Sequence, residues 1–502
     1  MAKGILKKIR LKLKNEQGSM FLMALVVIVL ILGLGGVFLL ASTVELQTAE
    51  RQRLSVVAFN IAEAGIERAL YDLRQDFVAD ATSPSWADGT INIYNIGPNT
   101  AGFYNIPYAS TALNGGSYTA SLMNAAGGND IWLQSVGTIN DVSHTLLVYV
   151  RMIDISPWAY AIFAGSGATG MMINGNVDIR GSVLALGDNL NPGDLAMDLG
   201  GTAQLVGNNY SGLAAALKAL VPALPTTTFN GETVDTLNGV LRVKKGVVGL
   251  SGTATLGEPN VNGNSVKETI DGAYVTEGYS GNQGANNVYS DNGKTTGYDL
   301  GDAVEFPSLS DPAPEDTSKT FQQYFHDNAL VLTNQLAAVT PTSTFSYSNA
   351  YGSISMNAGT ITISGRVYVD GNNSVAFNKA GAAKTINYNG TGSLLVTGNV
   401  NINTNLLTVG NNSFPTSIMG IMTPGTITMN EAGIDVMGLF YAEDTIAVMK
   451  QTDILGTIVS NYFDLGVNVP SIFQVPETIN NLPPGMIGSS STWFTVVSWQ
   501  KM

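Results

Sequence analysis

Cysteine is absent from the 502 residues, which excludes a disulfide framework, a thiolate metal site and a cysteine nucleophile. Histidine is nearly absent: only His144 and His326 occur, far apart in the chain. Most histidine-based metal and acid–base schemes therefore lack their raw material. Charge is also scarce. Asp, Glu, Lys and Arg make up 12% of the chain, where an ordinary soluble domain has about 25%. In their place stand 56 glycines and many Asn, Thr and Ser, the composition of strands and turns rather than of long solvated helices.

The few charges are unevenly placed. Lys3, Lys7, Lys8, Arg10, Lys12 and Lys14 face only Glu16 in the first 18 residues, a net of +5, so the remainder carries −19 of the total −14. An anionic body lacks the clustered cations that phosphate neutralisation needs, and no nucleic-acid partner is expected.

One long apolar run is present. Met20 to Ala41 contains no charge, and about 20 apolar residues span a bilayer as a helix. Basic residues precede the run and Glu45 and Glu50 follow it, so the positive-inside rule leaves the N-terminus in the cytoplasm and exports the body. The run is too long for a removed secretory signal, and Ala41-Ser42-Thr43 is a poor cleavage match. Beyond it, Gly65 is the only glycine between Ser42 and Phe77, and the first proline is Pro84. The helix is therefore expected to continue to residue 77, roughly 85 Å from residue 20 at 1.5 Å per residue. Phe59, Ala62, Ile66, Leu70, Leu73 and Phe77 recur at spacings of three and four, the pattern of one packing face; Glu63 is assigned to the same face.

The stretch NEQGSMFLMALVVIVLILGLGG, followed by Ala58 to Leu70 (AFNIAEAGIERAL), resembles the N-terminal region of PilX-type minor pilins. The likeness covers roughly residues 15 to 77, and Ala62-Glu63-Ala64-Gly65 is its most specific part. It implies that a prepilin peptidase cuts after Gly18, leaving Ser19 as the new N-terminus, and that the helix bundles with other major and minor pilins in a filament core. It also implies an inner-membrane precursor handled by the pilus assembly machinery. Met23, Gly33, Gly35, Gly36 and Glu45 fall in the filament-core segment. This chain departs from the family at Met23, where most pilins carry Glu. The three glycines lower helix propensity by about 1 kcal/mol each, which suits either close helix packing or a stretch that extends in a filament.

After Asp76 the pattern changes. Ser117 to Met123, Ile131 to Val136 and His144 to Met152 alternate apolar and polar residues and read as a small antiparallel sheet over 78–155. From residue 156 the motif glycine, any residue, apolar residue recurs at Gly181, Gly365, Gly398, Gly420, Gly438 and Gly456. Recurrence near 20 residues without helical spacing points to coils of a right-handed parallel β-helix; a β-sandwich with glycine turns is the alternative. The regularity fails over 187–345, read as an irregular insertion. Within it Glu315 to Ala338 is expected to form a helix capped by Asp316 or Thr317, with Phe321, Phe325, Leu332 and Leu336 on one face. Residues 469–502 are expected to close the other end. The fold class is thus α+β: a long N-terminal helix, a small antiparallel sheet, and a large mainly-β domain.

No catalytic, cofactor or metal residue is assigned. Asp178 with Arg180 reads as an exposed same-face pair, and Glu443 with Asp444 as a solvated turn. Asp291-Asn292-Gly293 and Asp370-Gly371-Asn372-Asn373 lack EF-hand spacing and read as ordinary turns. Tyr274, Tyr279, Tyr289 and Tyr298 form either a sugar-binding face or the filling beneath a long loop. The function expected from all this is a minor pilin displaying a large extracellular β domain, with adhesion at a filament tip as one use. The alternatives are a membrane-anchored adhesin outside any pilus and, third, a polysaccharide-active β-helix enzyme.

Overall fold

The computed structural model describes residues 2–79, 104–105, 111–124, 130–154, 156–168, 175–229, 231–258, 270, 272–290, 305–465, 470–488 and 492–501. The chain divides into two compact units, residues 1–153 with 492–502, and residues 154–491.

In the first unit, helix α1 runs without a break over Ala2–Ala79. Proline is absent from it and Gly65 is the only glycine of its second half, so nothing interrupts the backbone hydrogen-bond ladder. Strands β1 (Tyr104–Asn105), β2 (Thr111–Leu113), β3 (Gly116–Asn124), β4 (Asp130–Ile139) and β5 (Val142–Asp154) form an antiparallel meander. The expected three-strand pattern is its centre. Its last member is a strand from the far end of the chain, Thr492–Lys501, which lies beside β5. The strand Thr492–Lys501, part of the expected end cap, therefore completes this sheet. One face of the sheet, with Ala120, Leu122, Ile131, Leu133, Leu146, Val148 and Val150, packs against Ala62, Ile66 and Ala69 of α1.

The second unit is a stack of parallel strands wound in coils with three inner rows. Paired register places Leu330, Val367, Leu394, Ile421, Phe440, Ile458, Ile162, Val183, Leu241 and Ala273 in one continuous buried row. Ten strands about 4.8 Å apart give a stack of roughly 43 Å. A second row runs Ile386, Leu406, Val436, Ile454, Ile472, Ile179, Leu205, Leu256 and Val288. A third begins Val375, Val400, Ile427, Ile446 and Phe463. Each Val, Leu, Ile or Phe side chain in these rows contributes about 1.5–3 kcal/mol by leaving water.

The order of the first row shows a permuted stack. The chain enters in the middle at Ile162, climbs to Ala273, crosses to the opposite end at Leu330, and returns coil by coil to Ile458, which pairs with Ile162. Coils continue through Leu195–Leu199, Gln204–Gly207, Val240–Val243, Val247–Leu250 and Gly272–Val275, so the described residues 195–275 of the expected insertion belong to the stack. Its coils have unequal lengths, and no fixed period marks them in the sequence.

Four of the six glycines in the repeated motif lie two residues before that first row: Gly181, Gly365, Gly438 and Gly456. Gly438 pairs with Gly456, and their φ values are +154° and +136°. A Cβ on Gly456 would collide with the Gly438 carbonyl oxygen, so stacked glycines are obligatory where the backbone turns this tightly. Gly420 stands one residue before the row, and Gly398 lies in the turn after Thr391–Val396. The equivalent of Gly365 is Gly392.

The helix expected over Glu315 to Ala338 is a short one, Phe321–Asp327, capped by Thr320 through a reciprocal bond with Gln323. Before it lies the strand Asp316–Thr320, and after it Leu330–Leu332 opens the first row. Phe321 and Phe325 are buried, and Phe325 meets Tyr368 with ring centroids 6.3 Å apart.

Candidate functional site

Helix α1 has two parts of opposite character. Among Met20 to Leu40 every large apolar side chain is between 49% and 77% exposed, and Gly33, Gly35 and Gly36 have no atom within 4 Å of a would-be Cβ. Met23 and Glu45 are exposed as well. Among the described residues this is one helix long and apolar enough to cross a membrane. Gly18 and Ser19 lie on its helical backbone.

The second part is buried against its own sheet. Ala58, Ile61, Ala62, Ile66 and Ala69 are buried, and Phe59 and Leu70 are half-buried at the edge of the same core. Glu63, assigned to this face, is exposed, because a carboxylate one position from Ala62 turns away from an apolar sheet. The side chains of Leu73 and Phe77 fall outside the described residues. What the spacing of large residues did not reveal is the small-residue character of the contact. A Cβ on Gly65 would run into Ser135 Oγ and Tyr118, and one on Gly137 into the Ala58 carbonyl and the Ala62 backbone. The Ala-Glu-Ala-Gly segment thus lets helix and sheet backbones approach closely. The signal was the run of Ala58, Ala62, Gly65 and Ala69, all on one face.

At the rim of this contact, Ser55 Oγ and His144 Nε2 are 2.6 Å apart. Burial, and then the Lys501 ammonium, hold the imidazole below its ordinary pKa. Lys501 also stands 5.6 Å from the centre of the Phe59 ring, so the C-terminal strand tightens the same corner.

Asp178 and Arg180 are not an exposed pair. The Arg180 side chain is 5% exposed; it donates to Asp178 Oδ2 at 3.0 Å, Asn209 Oδ1 at 3.0 Å and Glu258 Oε1 at 3.1 Å. Burial outweighs the guanidinium and raises the Asp178 pKa. Sequence alternation found the two residues on one side of a strand, but not the partners that come later and cover them. Glu443 accepts from Ser308 Oγ, and Asp444 from Thr426 Oγ1 at 3.3 Å, at an irregularity inside the strand Ile434–Val448 rather than in a free turn. Each acidic candidate thus has its own structural partners.

The Asp370 loop closes on itself: Gly371 N donates to Asp370 Oδ1 and Asn373 Nδ2 to the Asp370 carbonyl. Asp291-Asn292-Gly293 and Tyr298 lie outside the described residues. Tyr274, Tyr279 and Tyr289 are half-buried, and burial pushes the Tyr279 hydroxyl up to about 12. His326 lies 3.1 Å from Asp327 and edge-on to Tyr368. No group of three or more His, Asp or Glu side chains is placed to hold a metal ion among the described residues.

A long apolar helix packed through its second half on a small antiparallel sheet, with a mostly-β domain in the same chain, is a pilin-like architecture. Neither family models nor curated proteins give a match to the chain. Among solved structures it is similar to the competence-associated pilin ComZ from Thermus thermophilus, with a TM-score of 0.52 at 20% identity, over 89% of this chain and 97% of that one. At that identity the likeness is one of fold.

Proposed function

We propose that the chain is a pilin-like subunit of a type IV pilus or related filament, of the minor kind that the PilX resemblance implies, displaying its β-helix on the cell surface. The observation that carries this reading is the division of α1: residues 58–69 are occupied by the chain's own sheet, while residues 20–40 expose an apolar surface that no other described residue covers. Lipid satisfies that surface in the precursor, and the helices of other major and minor pilins satisfy it in a filament. Cleavage by a prepilin peptidase between Gly18 and Ser19 converts one state to the other, drawing the protein from the inner membrane into the assembly machinery.

N-terminal sequencing of sheared filaments tests it. A chain starting at Ser19 in the filament fraction, with loss or shortening of filaments in the deletion strain, is the expected result. A chain that keeps its basic leader and stays in membranes whether or not filaments form overturns it.

A further inference from the structure

At the end of the β stack where Leu330 opens the first row, the strand Asp316–Thr320, the helix Phe321–Asp327 and Tyr368 frame an open cleft of about 460 Å³, within the range of about 300–1,000 Å³ common for ligand sites. Its polar groups are held in fixed orientations. Gln322 Nε2 donates to the Tyr368 hydroxyl at 3.0 Å, which fixes the amide plane and leaves Oε1 as an acceptor. Gln323 Oε1 takes the Thr320 backbone N–H at 3.1 Å, which leaves its amide nitrogen as a donor. His326 is pinned by Asp327 at 3.1 Å through Nδ1 and by the Tyr368 ring at 4.9 Å, edge-on, so Nε2 is left to meet a ligand.

The charges in the cleft select against an anion. Lys319 Nζ lies 2.9 Å from Asp327 and 3.7 Å from Asp316, one cation between two carboxylates. A phosphate, sulfate or carboxylate would meet no uncompensated positive charge. An apolar peptide anchor is equally unsuited, because the two phenylalanines of the helix are turned into the core. What remains is a set of neighbouring, oriented donors and acceptors. Sugar hydroxyls match it, since each donates and accepts at once.

We propose that this cleft binds an uncharged oligosaccharide, with adjacent ring hydroxyls bonded by Gln322 Oε1, Gln323 Nε2 and His326 Nε2. Binding here does not require incorporation into a filament, so its failure leaves the assembly role standing.

The full chain in detergent micelles is applied to an array of neutral hexose and N-acetylhexosamine oligosaccharides, with sialylated and sulfated glycans printed beside them. At least one neutral class is retained, and Gln322→Ala and His326→Ala each weaken it by about tenfold or more. Because Gln322 also anchors Tyr368, its loss can loosen the end of the stack. His326 is half-exposed, so its substitution keeps the fold and decides the matter alone; hydrogen-exchange protection of residues 321–327 on adding the retained sugar is the second readout. Retention of acidic glycans only, of no glycan, or of a neutral glycan that His326→Ala leaves unchanged without protection of 321–327 overturns the proposal.

Discussion

Gly137 of β4 lies directly beneath Ala62 of the long helix, so close that a Cβ on the glycine would collide with the Ala62 backbone nitrogen and the Ala58 carbonyl oxygen. The neighbouring Gly65 makes the reciprocal approach from the helix onto Ser135 and Tyr118. Helix and sheet are therefore fitted backbone to backbone at this corner. Gly137→Val must push α1 off the sheet and is expected to cost about 1–3 kcal/mol, the range for overpacking a well-filled core. Thermal melting in detergent checks it. A melting temperature equal to the parent's would mean that the helix does not dock as described.

The helix and the presence of a β stack were legible in the sequence because both rest on short-range patterns, an unbroken apolar run and glycine followed two residues later by an apolar residue. Three features were not. The strand Thr492–Lys501 pairs with β5 across some 340 residues of chain, and nothing local in it names that partner. Leu330 and Leu332 fall inside the helix expected over Glu315 to Ala338, where Phe321, Phe325, Leu332 and Leu336 keep an approximate helical spacing. Their alternation is equally that of a strand, and pairing with Val367 and Val369 decided the matter. The burial of Arg180 depends on Asn209 and Glu258, which follow 29 and 78 residues later. Of the polar cleft, only His326 and a helix in its neighbourhood were visible.

His144 gives the first unit a pH dependence of definite sign. Its folded pKa is below the ordinary 6.5 because burial, and then Lys501, disfavour the charged ring. The unfolded chain therefore binds the proton first as pH falls. The stability is complete above about pH 6.5 and declines on acidification until the folded imidazole also protonates. His144→Gln, which keeps a polar partner for Ser55, should flatten that decline between pH 7 and 5. An unchanged slope in the variant would assign the effect to other groups.

Asp435 and Asp453 face each other on adjacent parallel strands. Both have raised pKa values, caused first by burial and, at Asp435, also by Asp453. The sign is opposite to that of His144. Stabilisation by the protonated forms is complete below about pH 3.8 and is lost as pH rises through the raised values. Asp453→Asn is expected to raise stability at pH 7 by about 0.2–1 kcal/mol, the cost of like charges placed opposite each other, and to change nothing at pH 3. A loss of stability at pH 7 would show that the carboxylate is needed there.

Arg180 holds a buried charge network inside the β stack. Its guanidinium joins Asp178, Asn209 and Glu258, and Asp178 keeps one buried oxygen without a hydrogen-bond partner. Replacing Arg180 by Met leaves carboxylates facing each other in a poorly hydrated site, and removing one member of a buried pair costs about 3–5 kcal/mol. Most of that cost is the stranded charge rather than the lost bonds. Asp178→Asn introduced into the Arg180→Met chain should therefore recover part of the loss, with a coupling between the two sites of about 0.5–3 kcal/mol. Denaturant unfolding of the parent, both single variants and the double variant measures it. Strict additivity would mean that the two side chains do not act on each other.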